Sequence, residues 1–158
     1  MQQTRLSFDA LLGALGAAGE ETRLRLLALL SEAELTVTEL VTILGQSQPR
    51  ISRHLKLLVE AGLVVRHREG SWAFFLAAPG GAAGDIARAV AQWLDPQDPV
   101  LLSDRARLIE VRRTRDVQAA RYFAAQAPNW DRIRALHVPE ERVETALREV
   151  VGSAPLYA

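Results

Sequence analysis

Apolar positions recur at helical spacing through most of this chain. Phe8, Leu11, Leu12 and Leu15 mark a first helix over 8–18. Leu24, Leu26, Leu27, Leu29 and Leu30 make the segment 20–30 apolar on most of its circumference, so it belongs in a core, with Arg23 and Arg25 left to reach solvent or an acid. Segment 36–44 reads as a third helix: Thr36 and Glu39 stand at capping-box spacing and Gly45 ends it. Gln46 and Ser47 then turn the chain into a helix over 47–61. There Ile51, Leu55 and Leu58 form one stripe at i, i+4 and i+7, while Arg53, Lys56 and Glu60 point away and Arg50 and Ser52 flank. Ser47 is placed to cap this helix, Pro49 sits in its first turn and Gly62 follows its end. The pattern then changes to strands over 63–68 and 71–77, joined at Glu69-Gly70.

After Pro79-Gly80-Gly81, a helix over 85–94 carries Ile86, Val90, Trp93 and Leu94 on one side, and Asp95-Pro96-Gln97-Asp98-Pro99 stops it. One long helix is expected over 104–125, broken by Pro128-Asn129. A short one follows over 130–136, and another starts at Pro139 with Val143, Leu147, Val150 and Val151; Gly152-Ser153-Ala154-Pro155 ends it. Helix, tight turn, helix and then a hairpin make a winged helix-turn-helix, a mainly α fold with one small β-hairpin. It is expected over 1–95, with a C-terminal helical extension over 100–158. A helix that opens with small polar residues and arginine, and packs by its other face, suits a DNA major groove; an ordinary solvated surface helix is the other reading. Arg66, His67 and Arg68 at the hairpin tip suit a neighbouring minor groove or phosphates. Arg112, Arg113 and Arg115 in the long helix read as a solvated face or as a DNA-backbone contact.

The chain has 158 residues, of which 49% are hydrophobic and 24% charged, so it can bury a core. Its formal net charge is zero, which suits a nucleic-acid binder only if the cations are segregated. They are partly so: between Ser47 and Ser71, Arg50, Arg53, Lys56, Arg66 and Arg68 stand against Glu60 and Glu69 alone. There is no cysteine, which removes disulfides, thiolate metal sites and thiol redox chemistry. His54, His67 and His137 do not form a metal constellation, and no Ser/His/Asp set or carboxylate pair stands at catalytic spacing. No metal, no cofactor and no catalytic residues are therefore expected. The opening MQQTRLSFDALLGALG lacks the layout of a signal peptide, and no stretch approaches the roughly 20 apolar residues of a membrane span. A cytoplasmic protein without a membrane partner is expected.

The segment ETRLRLLALL, then LTVTELVTILGQSQPRISRHLKLLVEAGLVVRHREGSWAFFL, resembles the ArsR/SmtB family of bacterial winged-helix repressors. The resemblance covers 8–94. It is specific, because S-Q-x-x-[IV]-S-x-H-L-K-x-L-x-E-A-G-L-V followed by R-x-E-G is a many-residue pattern. It implies a homodimer on double-stranded DNA, with its 47–61 helices in successive major grooves of a palindromic operator, the 66–71 wings alongside, and the protein nucleoid-associated when bound. It assigns reading positions to Ser47, Gln48, Ser52 and His54. Chemistry adds Arg50 and Arg53, since arginine pairs with guanine or phosphate and glutamine with adenine; Lys56, Arg66 and Arg68 complete the candidate set. His54 lies about 60° around the wheel from Ile51, so a packing role stays open beside DNA contact. Phe8, Leu11, Leu12, Leu15, Ile86, Val90 and Trp93 form more apolar surface than a small domain buries alone, which makes them the expected dimer interface.

The departures matter. Metal-sensing members carry E-L-C-V-C-[DE]-L before the reading helix, where this chain has Glu34-Leu35-Thr36-Val37-Thr38-Glu39-Leu40. Threonine cannot replace thiolate for a soft metal. The family's other sensing site uses Asp and His on the helix after the wing; Asp85 is present there and no histidine is. Further on, RYFAAQAPNWDRIRALHVPEERVETALREVV is similar to the linker of ArsR-type regulators fused to S-adenosylmethionine-dependent methyltransferases. No G-x-G occurs and the chain stops at Pro155-Leu156-Tyr157-Ala158, so a regulator without the catalytic domain is expected. The alternatives are the regulatory N-terminal part of such a fusion, or a helical interaction protein that has lost DNA binding. The effector is unknown; an apolar pocket lined by Tyr122, Phe123 and Trp130 is one entry point, and plain core is the other reading of those aromatics. Zinc and trivalent arsenic are expected to leave DNA binding unchanged in a titration of the complex. S-adenosylmethionine is expected to give no saturable one-per-subunit heat in calorimetry, and such a heat would overturn the reading of the extension.

Overall fold

A computed structural model of the chain describes residues 5–137. The helix expected from Pro139, with its Val143, Leu147, Val150 and Val151, lies outside them. The element order is α1 (Phe8–Ala18), α2 (Glu21–Glu32), α3 (Val37–Leu44), α4 (Gln48–Glu60), β1 (Val64–Glu69), β2 (Trp72–Ala77), α5 (Gly81–Trp93) and α6 (Pro99–His137). This is the mainly α fold with one hairpin. The chain divides into two compact units, Met1–Arg113 and Thr114–Ala158.

In the first unit the core is built on α2. Leu26, Leu27, Leu29 and Leu30 are buried there with Leu35, Leu40, Ile43, Ile51, Leu55, Leu58, Leu63 and Phe75. Glu20 rather than a helical residue begins α2: its carboxylate accepts the Arg23 N–H at 3.0 Å. Thr36 and Glu39 form the expected capping box, with Thr36 Oγ1 accepting from the Glu39 N–H at 3.2 Å and Glu39 Oε1 accepting from the Thr36 N–H at 3.1 Å. Gly45 closes α3 at φ +64°, the left-handed conformation that favours glycine. Leu35 and Phe75 exchange backbone hydrogen bonds of 3.0 and 2.9 Å, which fastens the hairpin to the segment before α3.

Four boundaries differ from the sequence reading. The hairpin turns at Gly70-Ser71, between the closing pair Glu69 and Trp72, so Arg66, His67 and Arg68 stand on β1 below the tip rather than at it. Gly70, at φ +61°, supplies the positive dihedral that a two-residue turn needs. Helix α5 begins at Gly81, a turn earlier than expected, and Gly84 in it packs against the preceding loop, where a Cβ would lie 2.8 Å from the Ala78 carbonyl oxygen. Helix α6 begins at Pro99, since Asp98 Oδ1 accepts the Val100 N–H at 2.9 Å and Pro99 needs no donor in the first turn. The residues that stop α5 therefore also start α6. Finally, α6 runs through Pro128, where a break was expected. Proline removes one hydrogen bond there, and Ala124, Ala125 and Ala127 around it are strong helix formers that offset part of that cost.

One anchor escaped the sequence pattern. Asp104 is 2% exposed and accepts from Arg25 Nε at 2.8 Å and from Nη2 at 2.7 Å, a two-pronged pair that ties α2 to the first turns of α6. Arg25 thus finds its acid, and the bond with Asp104 holds its guanidinium above the ordinary arginine value. In the second unit Val117, Tyr122, Phe123 and Trp130 are exposed on α6. Asp104→Ala is expected to lower the unfolding free energy by about 3 kcal/mol, because it strands a largely buried guanidinium. Urea denaturation checks this, and a loss near zero would show that water reaches the pair.

Candidate nucleic-acid interface

The site is made by the way α4 is rolled. Ile51, Leu55 and Leu58 face α2 and α3 and are buried, and Arg50, Ser52, Arg53 and Lys56 are therefore exposed on the opposite side. Ser47 and Gln48 at the helix start are exposed as well. Ser47 occupies the N-cap position, but its side chain makes no capping hydrogen bond, contrary to the expected role. The turn before α4 is held from α2: Gln46 Nε2 donates to Thr22 Oγ1 at 3.1 Å. From α6, Arg107 Nη1 donates at 3.0 Å to the carbonyl of Ile43, in the last turn of α3. Both ends of the helix-turn-helix corner are thus pinned by side chains outside it.

Charge gathers on the exposed face. Among the described residues, Arg50, Arg53 and Arg68 have no acid within ion-pair distance, and Lys56 meets Glu60 at 3.9 Å on a surface open to water. Arg66 and Arg68 share one side of β1, and the Arg66 guanidinium stands 6.0 Å from the centre of the Phe75 ring. His67 points to the other side, stacked on Phe74 at 5.6 Å and 3.6 Å from Glu34. In the basic run on α6, Arg112 donates to the Glu32 carbonyl at 2.9 Å, and Arg113 pairs with Glu110 at 3.1 Å on a surface open to water.

His54 is where the open alternatives separate. Its side chain is 13% exposed and faces Glu20 and Arg23 rather than the outer surface of α4. Packing, which the 60° offset left open, is what the structure shows; the reading position drawn from the resemblance is not on the outer face. Sequence reasoning also missed Glu20, Arg23, Gln46 and Arg107 around the site. The Glu20–Arg23 spacing was the signal for the first pair, and no local signal marks Gln46 or Arg107.

The expected dimer residues divide. Phe8, Leu11, Leu12 and Leu15 lie bare along α1, and Trp93 is 82% exposed at the end of α5. Ile86 and Val90 are half-buried against the core of their own protomer. Tyr122 and Phe123 meet edge to face at 6.0 Å and are exposed, as is Trp130. A cleft of about 610 Å³ does exist in the first unit, between α2, β2, α5 and the start of α6, with Leu29, Leu76, Leu94, Leu101 and Leu108 in its walls. Among the described residues no His, Cys, Asp and Glu group could hold a metal ion, and no helix is long and apolar enough to cross a membrane.

Residues 20–65 match the family described as bacterial regulatory protein, arsR family. The chain is 51% identical over 61 residues to the arsenical resistance operon repressor of Escherichia coli, covering 38% of this chain and 52% of that protein. It is 42% identical over 60 residues to an uncharacterised HTH-type transcriptional regulator of Methanocaldococcus jannaschii, covering 37% and 67%. The transcriptional repressor BigR of Xylella fastidiosa superimposes with a TM-score of 0.51 at 27% identity, over 57% of this chain and 88% of that one. The chain spans about half the length of the first curated relatives it matches. With residues 20–65 carrying the match and α3, α4 and the β1–β2 hairpin carrying the fold, the chain belongs to the arsR family of bacterial regulatory proteins.

Proposed function

We propose that this chain is a sequence-specific transcriptional repressor that binds duplex DNA as a homodimer. The observation that carries the reading is the two-sided α4: its apolar stripe is buried while Arg50, Arg53 and Lys56 stand clear beside a wing bearing Arg66 and Arg68. In this reading Ser47, Gln48, Arg50 and Ser52 approach base edges from the start of α4, where a recognition helix makes its contacts. Arg53, Lys56, Arg66 and Arg68 neutralise phosphates on either side. Zero net charge is compatible with this, because the cations are concentrated where the backbone would lie. Repression comes from the name of the Escherichia coli relative.

The signal does not enter through thiolates. Thr36 and Thr38 occupy the positions of the family's cysteine pair, and Thr36 is committed to capping α3. Two copies associate through α1 and α5, with Phe8, Leu11, Leu12, Leu15 and Trp93 at the centre and Ile86 and Val90 behind them. Such a run of exposed large side chains is what a self-complementary two-fold interface covers. The first turns of α6 brace the helix-turn-helix, and no residue of the 100–158 extension is assigned to the DNA surface or to a catalytic site.

Gln48→Ala or Arg50→Ala is expected to cost about 1–3 kcal/mol of operator affinity and to relax base preference at one position. Arg68→Ala is expected to weaken all sequences alike and to reduce the salt slope by about one phosphate contact. Fluorescence anisotropy on duplexes enriched from a random pool measures both. Unchanged affinity after removal of Gln48, Arg50 and Ser52 together would sink the assignment of α4. Sedimentation at micromolar protein is expected to give the dimer mass, and replacing Phe8 and Leu12 by glutamate is expected to give the monomer; a wild-type mass that stays monomeric would exclude the interface.

A further inference from the structure

We propose that His54 is a positioning residue for DNA binding: its neutral ring accepts a hydrogen bond from Arg23, and this bond sets the roll of α4 on α2. The proposal rests on α4 being the reading helix. Arg23 Nη1 lies 3.1 Å from His54 Nδ1, with the two side chains 15% and 13% exposed. A guanidinium has no acceptor, so Nδ1 must offer its lone pair and the ring proton must sit on Nε2. Arg23 is itself fixed, because its Nε donates to the Ala17 carbonyl in the last turn of α1. Glu20 completes the group: its Oε2 accepts the Arg23 N–H at 3.0 Å and lies 3.6 Å from His54 Nδ1. Three helices therefore meet at one imidazole, one turn along α4 from Arg50 and beside Arg53.

Protonating that ring would set two donors face to face and add a cation beside Arg23, with Arg50 and Arg53 close on its own helix; Glu20 is the one facing acid among the described residues. Burial holds the ring below the ordinary histidine value of 6.5, Glu20 opposing and the three arginines reinforcing. The neutral form is thus the folded form. Its contribution is complete above 6.5, the ordinary value, and is lost as the pH falls from there through the lower folded value. His54 would then act on DNA affinity without touching DNA, and acidification would loosen the reading helix even as it makes the protein more positive.

The test uses the full chain and a duplex enriched by it from a random pool, with all variants carrying His67→Gln to remove the wing histidine. His54→Asn keeps an acceptor near the Nδ1 position and does not titrate. At neutral pH it is expected to bind like the parent, with no loss of affinity on acidification beyond that of other groups. His54→Ala is expected to bind about tenfold more weakly, the equivalent of one charge-assisted hydrogen bond, with an unchanged salt slope and base preference. Nitrogen NMR of the ring is expected to show Nδ1 unprotonated at neutral pH and, in Arg23→Gln, a titration moved upward; this readout stands even where His54→Ala fails to fold. An Asn variant as weak as the Ala variant, a shifted base preference, or a protonated Nδ1 at neutral pH would overturn the proposal. Failure of the parent chain to enrich any sequence would overturn the DNA reading itself, and is seen before any variant is compared.

Discussion

Ile51, Leu55 and Leu58 are all but inaccessible to water, and burying them decides what the rest of α4 presents. Each fully buried aliphatic side chain is worth about 1.5–3 kcal/mol. An exposed ion pair contributes about 0–1 kcal/mol. A helix turns 100° per residue, so rolling α4 by one position would expose most of the stripe, and no surface charge contact could offset that loss. The outward position of Arg50, Arg53 and Lys56 is therefore set by the opposite side of the helix. The site is a consequence of the core.

Polar side chains supply what the apolar stripe leaves loose. A stripe of three residues fixes the face of a helix but tolerates some roll and slide. Gln46 to Thr22, Arg23 to His54 and Arg107 to the Ile43 carbonyl remove that tolerance at the corner of the helix-turn-helix. The partners come from α2 and α6 because α3 and α4 spend their own interior faces on packing. Among the described residues no buried side-chain nitrogen or oxygen lacks a hydrogen-bond partner, so these contacts leave no other buried polar atom unpaired.

The first turns of α6 belong to the same brace. Asp104, Arg107 and Arg112 each reach α2 or α3, and Arg113 pairs with Glu110 on the exposed side of α6. An arginine can serve as a brace or as a DNA contact, and only the neighbours presented by the fold choose between them. The same holds for His54: position on the wheel brought it to the edge of the buried stripe, and Glu20 and Arg23 drew it inward.

Periodicity alone was enough to place α1, α3, α4 and the hairpin, because in each the spacing of apolar residues agrees with a local start or stop such as the Thr36–Glu39 box or Gly45. It also separated the buried from the exposed side of α4, and the absence of cysteine fixed the chemistry this chain lacks. The boundaries it missed turn on caps and close packing that the spacing of apolar residues does not report. Helix α5 starts at Gly81 and sets Gly84 against the Ala78 carbonyl, and α6 continues through Pro128. The tertiary structure alone decided which charged residues are structural: Asp104 lies 79 positions from Arg25 and Arg23 lies 31 from His54, separations over which sequence pattern carries no information about contact.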